Sequence, residues 1–338
     1  MQQSPVLSII IVNYKTPELI INCLDTVYAG TKNIPFEVII VDNDSGEDSK
    51  QLVLASYPDV VWIDMNYNSG FARANNAGIR QSKSDTVLLL NSDTLIRDNA
   101  LEKCFQLFES SEYVASGVQL LNADLTPQIS GNYFVRGGLN YLLPLPYMGE
   151  VIKRAGGLLK MKKPNIPDSD SLVEVDWING AFLMVKKQAI AKAGLMDEDF
   201  FLYAEEAEWC SRLKKAGKLC IFGECKVVHL MGATATGAFQ SADKSYYNLF
   251  DRKGLQLIVS NFVRIRKQFG VSWFLIMLFF YCVEIPVFFF GLLLSKLLFI
   301  KKNRFSFRQF KGYCINIFSL FRVSFTIIKN KPFFYKIL

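Results

Sequence analysis

Residues 36–46 read FEVIIVDNDSG, an apolar, β-branched run that stops abruptly in two acids, an amide and a Ser-Gly pair. A run of that kind suits a strand buried on both faces of a parallel sheet, and the polar stop suits the turn that follows it. The same grammar recurs on either side. Residues 7–13 (LSIIIVN) form a first buried strand, and Thr16-Pro17 then predicts a capped helix with proline in its first turn. In that helix Leu19, Ile20, Cys23, Leu24 and Val27 recur at helical spacing. Residues 47–57 read as a second helix, 60–65 as a third strand and 68–81 as a loop and helix. Residues 86–90 (TVLLL) then form a fourth strand ending in Asn91-Ser92-Asp93. Strand and helix alternate four times in about a hundred residues, which predicts an α/β fold with a doubly wound, mostly parallel sheet.

Polar side chains gather at the C-terminal ends of these strands: Asn13, Asp42, Asn43, Asn91 and Asp93. Open α/β sheets bind ligands at that edge, so a nucleotide or phosphate ligand is expected. The chain has no G-x-x-x-x-G-K-[ST] loop, which excludes a P-loop NTPase. It also lacks a G-x-G-x-x-G after the first strand, which argues against a dinucleotide dehydrogenase. Residues 120–172, rich in Pro and Gly with a basic run at 160–163, read as loops over the site. Residues 173–185 read as strand, turn and strand through Asn179-Gly180. A helix over 204–216 ends at Gly217, and strand-rich 218–230 delivers His229, the only histidine.

Charge divides the chain. Residues 252–338 hold fifteen Lys or Arg and one acid, Glu284, for +14, whereas residues 1–251 hold twenty-three basic and thirty acidic side chains, for −7. A basic tail rich in Phe, Leu and Ile points to anionic lipid. The N-terminal part has no basic patch with interleaved aromatics, so no nucleic-acid partner is expected. Residues 273–300 are almost wholly apolar and long enough to span a bilayer, but Glu284, Pro286 and Lys296 interrupt them. Basic residues flank both ends: Arg264, Arg266 and Lys267 before, then Lys301, Lys302, Arg304, Arg308 and Lys311 after. One span would strand a basic cluster on the wrong side, so a hairpin bent near Pro286 or helices lying in the interface are preferred. Residues 315–328 fit a further interfacial helix. No signal peptide opens the chain, so the active part is expected in the cytosol. The seven cysteines are scattered, mostly in apolar runs, and read as reduced buried thiols rather than disulfides; Cys220, Cys225 and His229 lack the pairing of a zinc site.

VDNDS (41–45), NSGFARANNAGI (68–79), LLLNSD (88–93) and YAEEAEWCSRL (203–213) together resemble family 2 glycosyltransferases of the GT-A fold, in the manner of bacterial rhamnosyltransferases. VDWINGAFLMVKKQAI (175–190) and VVHLMGAT (227–234) extend the resemblance across about residues 6–250. It implies a GT-A domain over residues 1–250 and a membrane-associated region over 251–338, at the cytoplasmic face of the cell membrane. It also implies a divalent cation, Mn²⁺ or Mg²⁺, and a nucleotide-sugar donor, with dTDP-rhamnose preferred and galactofuranosyl, glucosyl, mannosyl or N-acetylhexosaminyl transfer as alternatives; the lipid-seeking tail adds a lipid-linked saccharide acceptor. Asp93 stands at the family's D-x-D motif, here with one carboxylate instead of two, and the resemblance puts His229 near the same metal. Asp42 corresponds to a nucleoside contact, although Asp-Asn-Asp-Ser-Gly also suits a plain turn. Asn68, Arg73 and Asn76 fall in the donor-contacting segment. Arg73 replaces a usually small residue, and either a diphosphate contact or a surface position fits it. Asn13 and Asn91 complete the donor-binding set.

Glu205-Glu206 corresponds to the family's acidic pair, with Glu206 where Asp is usual. With residues 202–213 placed on a helix, Leu202, Glu206, Cys210 and Leu213 share one stripe, so Glu206 is expected to face inward and act as catalytic base. Glu205 is then left to bind acceptor hydroxyls, and Glu208 reads as a solvated partner of Arg212. A nucleotidyltransferase would need a Gly-rich basic loop after the first strand, which Asn13-Tyr14-Lys15-Thr16 is not; a membrane-bound sugar-binding protein is the third alternative.

Overall fold

The computed structural model describes residues 4–160, 164–166, 168–230, 248–297 and 305–337. Residues 231–234 of the VVHLMGAT motif, residues 298–300 of the apolar run, Lys162, Lys163, Lys301, Lys302 and Arg304 lie outside them. The chain divides into two compact units. Met1–Tyr133, Pro164–Phe201 and Glu205–Ala235 make the first; Phe134–Lys163, Leu202–Ala204 and Thr236–Leu338 make the second.

In the first unit the strands are β1 (Leu7–Asn13), β2 (Phe36–Asp42), β3 (Val61–Asp64), β4 (Thr86–Asn91), β5 (Thr94–Ile96), β6 (Ala115–Leu121), β7 (Gly131–Asn132), β8 (Asn165–Ile166), β9 (Leu172–Val175), β10 (Trp177–Ile178), β11 (Phe182–Lys186) and β12 (Leu219–His229). Its helices are α1 (Pro17–Gly30), α2 (Glu47–Ser56), α3 (Gly70–Gln81) and α4 (Ala100–Glu109). The central sheet runs β3-β2-β1-β4-β11-β6-β12-β5, with β9 also on β12, while β10, β7 and β8 form a small second sheet. The fold is mixed α/β with a mostly parallel sheet. β3, β2, β1 and β4 run parallel, as do β6 and β12; β11 enters antiparallel between β4 and β6, and short β5 and β9 are antiparallel additions.

The apolar runs earn this arrangement. Ile9, Ile10 and Ile11 of β1 are fully buried, so both faces of the strand meet helices or core. Each such side chain contributes about 1.5–3 kcal/mol of transfer free energy. Leu88–Leu90 of β4 repeat the pattern. α1 begins at Pro17 as the sequence predicts, but the Thr16 hydroxyl does not cap it. Instead Thr16 N donates to Asn13 Oδ1 (3.3 Å), and its Oγ1 lies 3.5 Å from Ser92 Oγ, so the side chain ties two strand ends together. All seven cysteines are free thiols, five of them buried.

The second unit is helical. A 3₁₀ segment (Arg136–Leu142) and α5 (Met148–Leu158) precede the C-terminal helices. Two further helices of the first unit intervene in the chain, α6 (Lys187–Ala193) and α7 (Glu205–Ala216). The C-terminal three are then α8 (Arg252–Phe269), α9 (Val271–Leu297) and α10 (Phe307–Lys329). Residues 134–160 are therefore not all loops; they carry a 3₁₀ segment and α5, and they pack with the tail. A Cβ on Gly137 would fall 2.1 Å from the Trp273 ring, the Arg264 guanidinium stacks on Phe134 (4.8 Å), and Tyr281 Oη donates to Tyr141 O (3.0 Å). The sequence reads as loops there because local pattern cannot register partners more than a hundred residues away.

Candidate active site

The site is built where β1, β2 and β4 end. Asn13 Nδ2 donates to Asp42 Oδ1 (2.7 Å) across the β1–β2 register, and Ser45 N donates to Asp42 Oδ2 (2.9 Å). Asp42 is thus both a turn former and a carboxylate held in place; each oxygen keeps a further lone pair for a ligand. The loops after β1, β2 and β3 each hold a left-handed residue that is not glycine, namely Lys15, Asp44 and Asn66. Such backbone costs free energy and persists where surrounding structure enforces it.

β4 ends in the turn Asn91–Thr94, closed by Thr94 Oγ1 donating to Asn91 O (2.7 Å). β5 then pairs antiparallel with β12, with Thr94 opposite His229, and Leu230 N donates to Asp93 O (2.9 Å). This register brings together residues 136 positions apart. His229 Nε2 lies 3.3 Å from Asp93 Oδ1 and 3.4 Å from Asn91 Nδ2. Gln128, which the sequence reading missed, completes the group. Its Nε2 donates to His229 O (2.6 Å), and that turns its Oε1 onto His229 Nδ1 (3.0 Å). The Gln128 acceptor sets Nδ1 as a donor and leaves Nε2 turned toward Asp93 and Asn91. One carboxylate, one imidazole nitrogen and one amide suit a divalent cation. Among the described residues no three His, Cys, Asp or Glu side chains converge on one point, so the protein would supply part of a ligand set and leave the rest to donor and water.

The NSGFARANNAGI segment is tied into the scaffold by its polar side chains. Asn43 Oδ1 accepts from Ser69 N and Oγ (both 2.7 Å), and Asn43 Nδ2 donates to Asn68 Oδ1 (3.3 Å). Gly70 has φ +77°, and a Cβ there would lie 2.3 Å from Phe201 O, so only glycine allows this approach. Asn76 donates to Met196 O (2.9 Å) and Glu198 Oε1 (3.0 Å) and accepts from Met196 N (3.0 Å). Arg73 Nε donates to Glu198 O (3.0 Å). Asn76 and Arg73 therefore bracket α3 to residues 196–201, the stretch that leads toward the acidic pair.

That pair opens α7, after two successive left-handed residues, Tyr203 (φ 73°) and Ala204 (φ 67°). The helix starts only at Glu205, so Leu202 drops out of the stripe; Cys210 and Leu213 are fully buried, but Glu206 stands in the first turn. Glu205 is 3% exposed and Glu206 half-buried, the reverse of the expected faces. Glu208 is also buried rather than solvated. Arg212 grips it through Nε and Nη2 and donates from Nη1 to Ala193 O and Leu195 O, which ties α7 to the end of α6. Glu206 lies against Gly180, its Cγ 3.5 Å from where a Cβ would stand, and neighbouring Ala181 O accepts Asn91 N (3.0 Å). The acid is thereby held beside the end of β4.

Among the described residues no hydrogen-bond partner reaches the buried Glu205 Oε2. Burial, and after it the Glu206 charge, push the Glu205 carboxyl well above its ordinary 4.5. The folded protein then keeps a proton that the unfolded chain sheds above 4.5, so this group lowers stability progressively as pH rises from that value. Glu205→Gln removes the loss. The variant is expected to unfold several degrees above wild type at about pH 8, at about 2–4 °C per kcal/mol, with the margin vanishing toward about pH 4. Thermal scans across that range check it; a margin that ignores pH would rule out a protonated Glu205.

A mixed α/β sheet with carboxylates, amides and a histidine at its C-terminal edge defines a GT-A-like protein, and the comparisons agree. Residues 8–141 match the family description "Glycosyl transferase family 2". The chain is 30% identical over 227 residues to the low-salt glycan biosynthesis hexosyltransferase Agl10 of Haloferax volcanii, covering 66% of this chain and 65% of that one. It is 24% identical over 205 residues to the N-acetylglucosaminyl-diphospho-decaprenol L-rhamnosyltransferase of Mycobacterium tuberculosis, covering 56% and 64%. The chain thus spans a little under two thirds of the length of each. Among solved structures, mannosyltransferase PcManGT of Pyrobaculum calidifontis, in complex with GDP-Man and Mn²⁺, superposes with TM-score 0.54 at 13% identity, over 94% of this chain and 87% of that one.

Proposed function

We propose that the protein is an inverting glycosyltransferase that moves a sugar from a nucleotide-sugar donor to a lipid-linked saccharide, at the cytoplasmic face of the cell membrane, in cell-surface polysaccharide synthesis. The observation that carries this reading is the meeting of Asp93, Asn91 and His229 beside the held carboxylate of Asp42 at one sheet edge. In it, Asp42, set by Asn13, receives the nucleoside, and Asn68 lies in the same corner through Asn43. Asp93 and His229 Nε2 would hold a divalent cation, Mn²⁺ or Mg²⁺, which when bound offsets the charge developing on the leaving diphosphate. Glu206 accepts the proton of an acceptor hydroxyl. The acceptor oxygen bonds to the anomeric carbon as the carbon–diphosphate bond breaks on the opposite face. In this reading Glu205, whose carboxyl burial pushes well above its ordinary range, does not take the proton.

Rhamnose from dTDP-rhamnose is the preferred donor; the name of the mycobacterial relative supports it, and its diphospho-decaprenol acceptor supports a lipid-linked acceptor here. Hexosyl transfer is the second reading, favoured by the archaeal relative. The test is incubation with a panel of nucleotide sugars and Mn²⁺. Release of dTDP from dTDP-rhamnose is expected. Release of pyrophosphate would point to nucleotidyl transfer, and no release from any donor to a binding protein.

A further inference from the structure

We infer that the second unit docks on an anionic bilayer with α9 and α10 lying in the membrane plane, so that α9 rests on the membrane without crossing it. This deepens the membrane location proposed above and rests on it. By length and composition α9 could cross a bilayer, and it is the one such helix among the described residues. Its midpoint argues otherwise. Glu284 is fully buried and accepts from Tyr147 N (2.8 Å) and Met148 N (3.0 Å), at the start of α5. Within two turns α5 carries Glu150, Lys153 and Arg154, with Lys153 and Arg154 exposed. Were α9 to span, this charged helix and the irregular backbone before it would lie at the centre of the hydrocarbon, where neither is tolerated.

The two faces of α9 differ in neighbour but not in polarity. Phe274, Met277, Tyr281, Glu284, Phe288 and Leu292 are buried within the unit, whereas Leu275, Phe279, Pro286, Phe290, Leu294 and Leu297 form an exposed apolar stripe at helical spacing. α10 adds a stripe of a second kind. Lys311, Ile315, Phe318, Arg322, Phe325 and Lys329 follow one another at spacings of four, three, four, three and four, all exposed. Cations sit over the rings: Arg322 over Phe318 at 4.7 Å and Lys329 over Phe325 at 4.1 Å. The stripes meet where the exposed Phe289 and Phe307 rings approach to 6.5 Å, and Lys296 covers Phe307. Rings that enter the acyl boundary beneath cations that stay with the headgroups match an anionic bilayer surface, and the +14 charge of residues 252–338 complements it.

The test uses the full chain with vesicles of phosphatidylcholine, alone or with phosphatidylglycerol. Flotation with the anionic vesicles only, weakened by salt, and release by alkaline carbonate are expected. Phe318→Asp with Phe325→Asp, both at exposed positions, should cut binding about tenfold or more with an unchanged circular dichroism spectrum and unchanged donor turnover. Arg322→Glu with Lys329→Glu should abolish the preference for anionic vesicles. Retention in the carbonate pellet overturns the in-plane geometry but keeps the membrane location. A protein that floats with neither vesicle, and whose concentration-dependent dimer the Phe substitutions dissolve, overturns both and makes the face a contact between copies.

Discussion

Asp93→Ala is expected to lower sugar transfer by about a thousandfold and to abolish tight Mn²⁺ binding, while thermal unfolding stays near wild type. The carboxylate is the only acid in the Asn91–Thr94 turn, and His229 Nε2, its neighbour at 3.3 Å, has its tautomer fixed from behind by Gln128. The fold should survive because the Asp93 backbone still accepts Leu230 N, and β5 keeps its pairing with β12. Two readouts are needed: turnover of the best donor, and Mn²⁺ titration followed by electron paramagnetic resonance with nucleoside diphosphate present. A variant that turns over normally, or wild type indifferent to EDTA, would remove Asp93 from the metal site.

Glu206→Gln is the second large effect, a loss of about a hundredfold or more in turnover with little change in donor affinity. The amide keeps size and hydrogen bonding but has no basic oxygen. The informative control is Glu205→Gln. A glutamate already protonated by burial is mimicked by glutamine, so this variant should keep turnover within about threefold, alongside its altered pH dependence of stability. Single-turnover assays at saturating donor separate the two. A dead Glu205→Gln beside a working Glu206→Gln would move the base to the buried position.

The parallel half of the sheet was legible because it is coded by strongly apolar runs, each stopped by polar turn formers. The meeting of Asp93 and His229 could be expected only through resemblance, since nothing local relates two residues joined by the register of β5 on β12. The inward placement of Glu206 failed for a specific reason. Helical spacing does not say how far a buried stripe extends, and Glu206 stands in the first turn of α7, just after the left-handed Tyr203 and Ala204. Gln128 carried no signal at all; a lone glutamine in a loop is marked only by what it touches. Asn76 and Arg73, expected at the donor, also bond to the scaffold at residues 196 and 198, which the sequence did not signal.

The bonds from Tyr147 and Met148 to Glu284 join positions 137 and 136 apart in the chain. At about 5–20 residues per second, a ribosome takes roughly ten seconds to deliver that carboxylate after α5 has emerged. Throughout that interval the Tyr147 and Met148 amides lack the carboxylate that accepts from them in the folded chain. Trp273 and Tyr281, which cover Gly137 and Tyr141, arrive in the same late stretch. A chain cut after the sheet domain would hold this unfinished state permanently. The last eighty residues thus act in cis as the folding template for a segment made long before them, whatever else they bind.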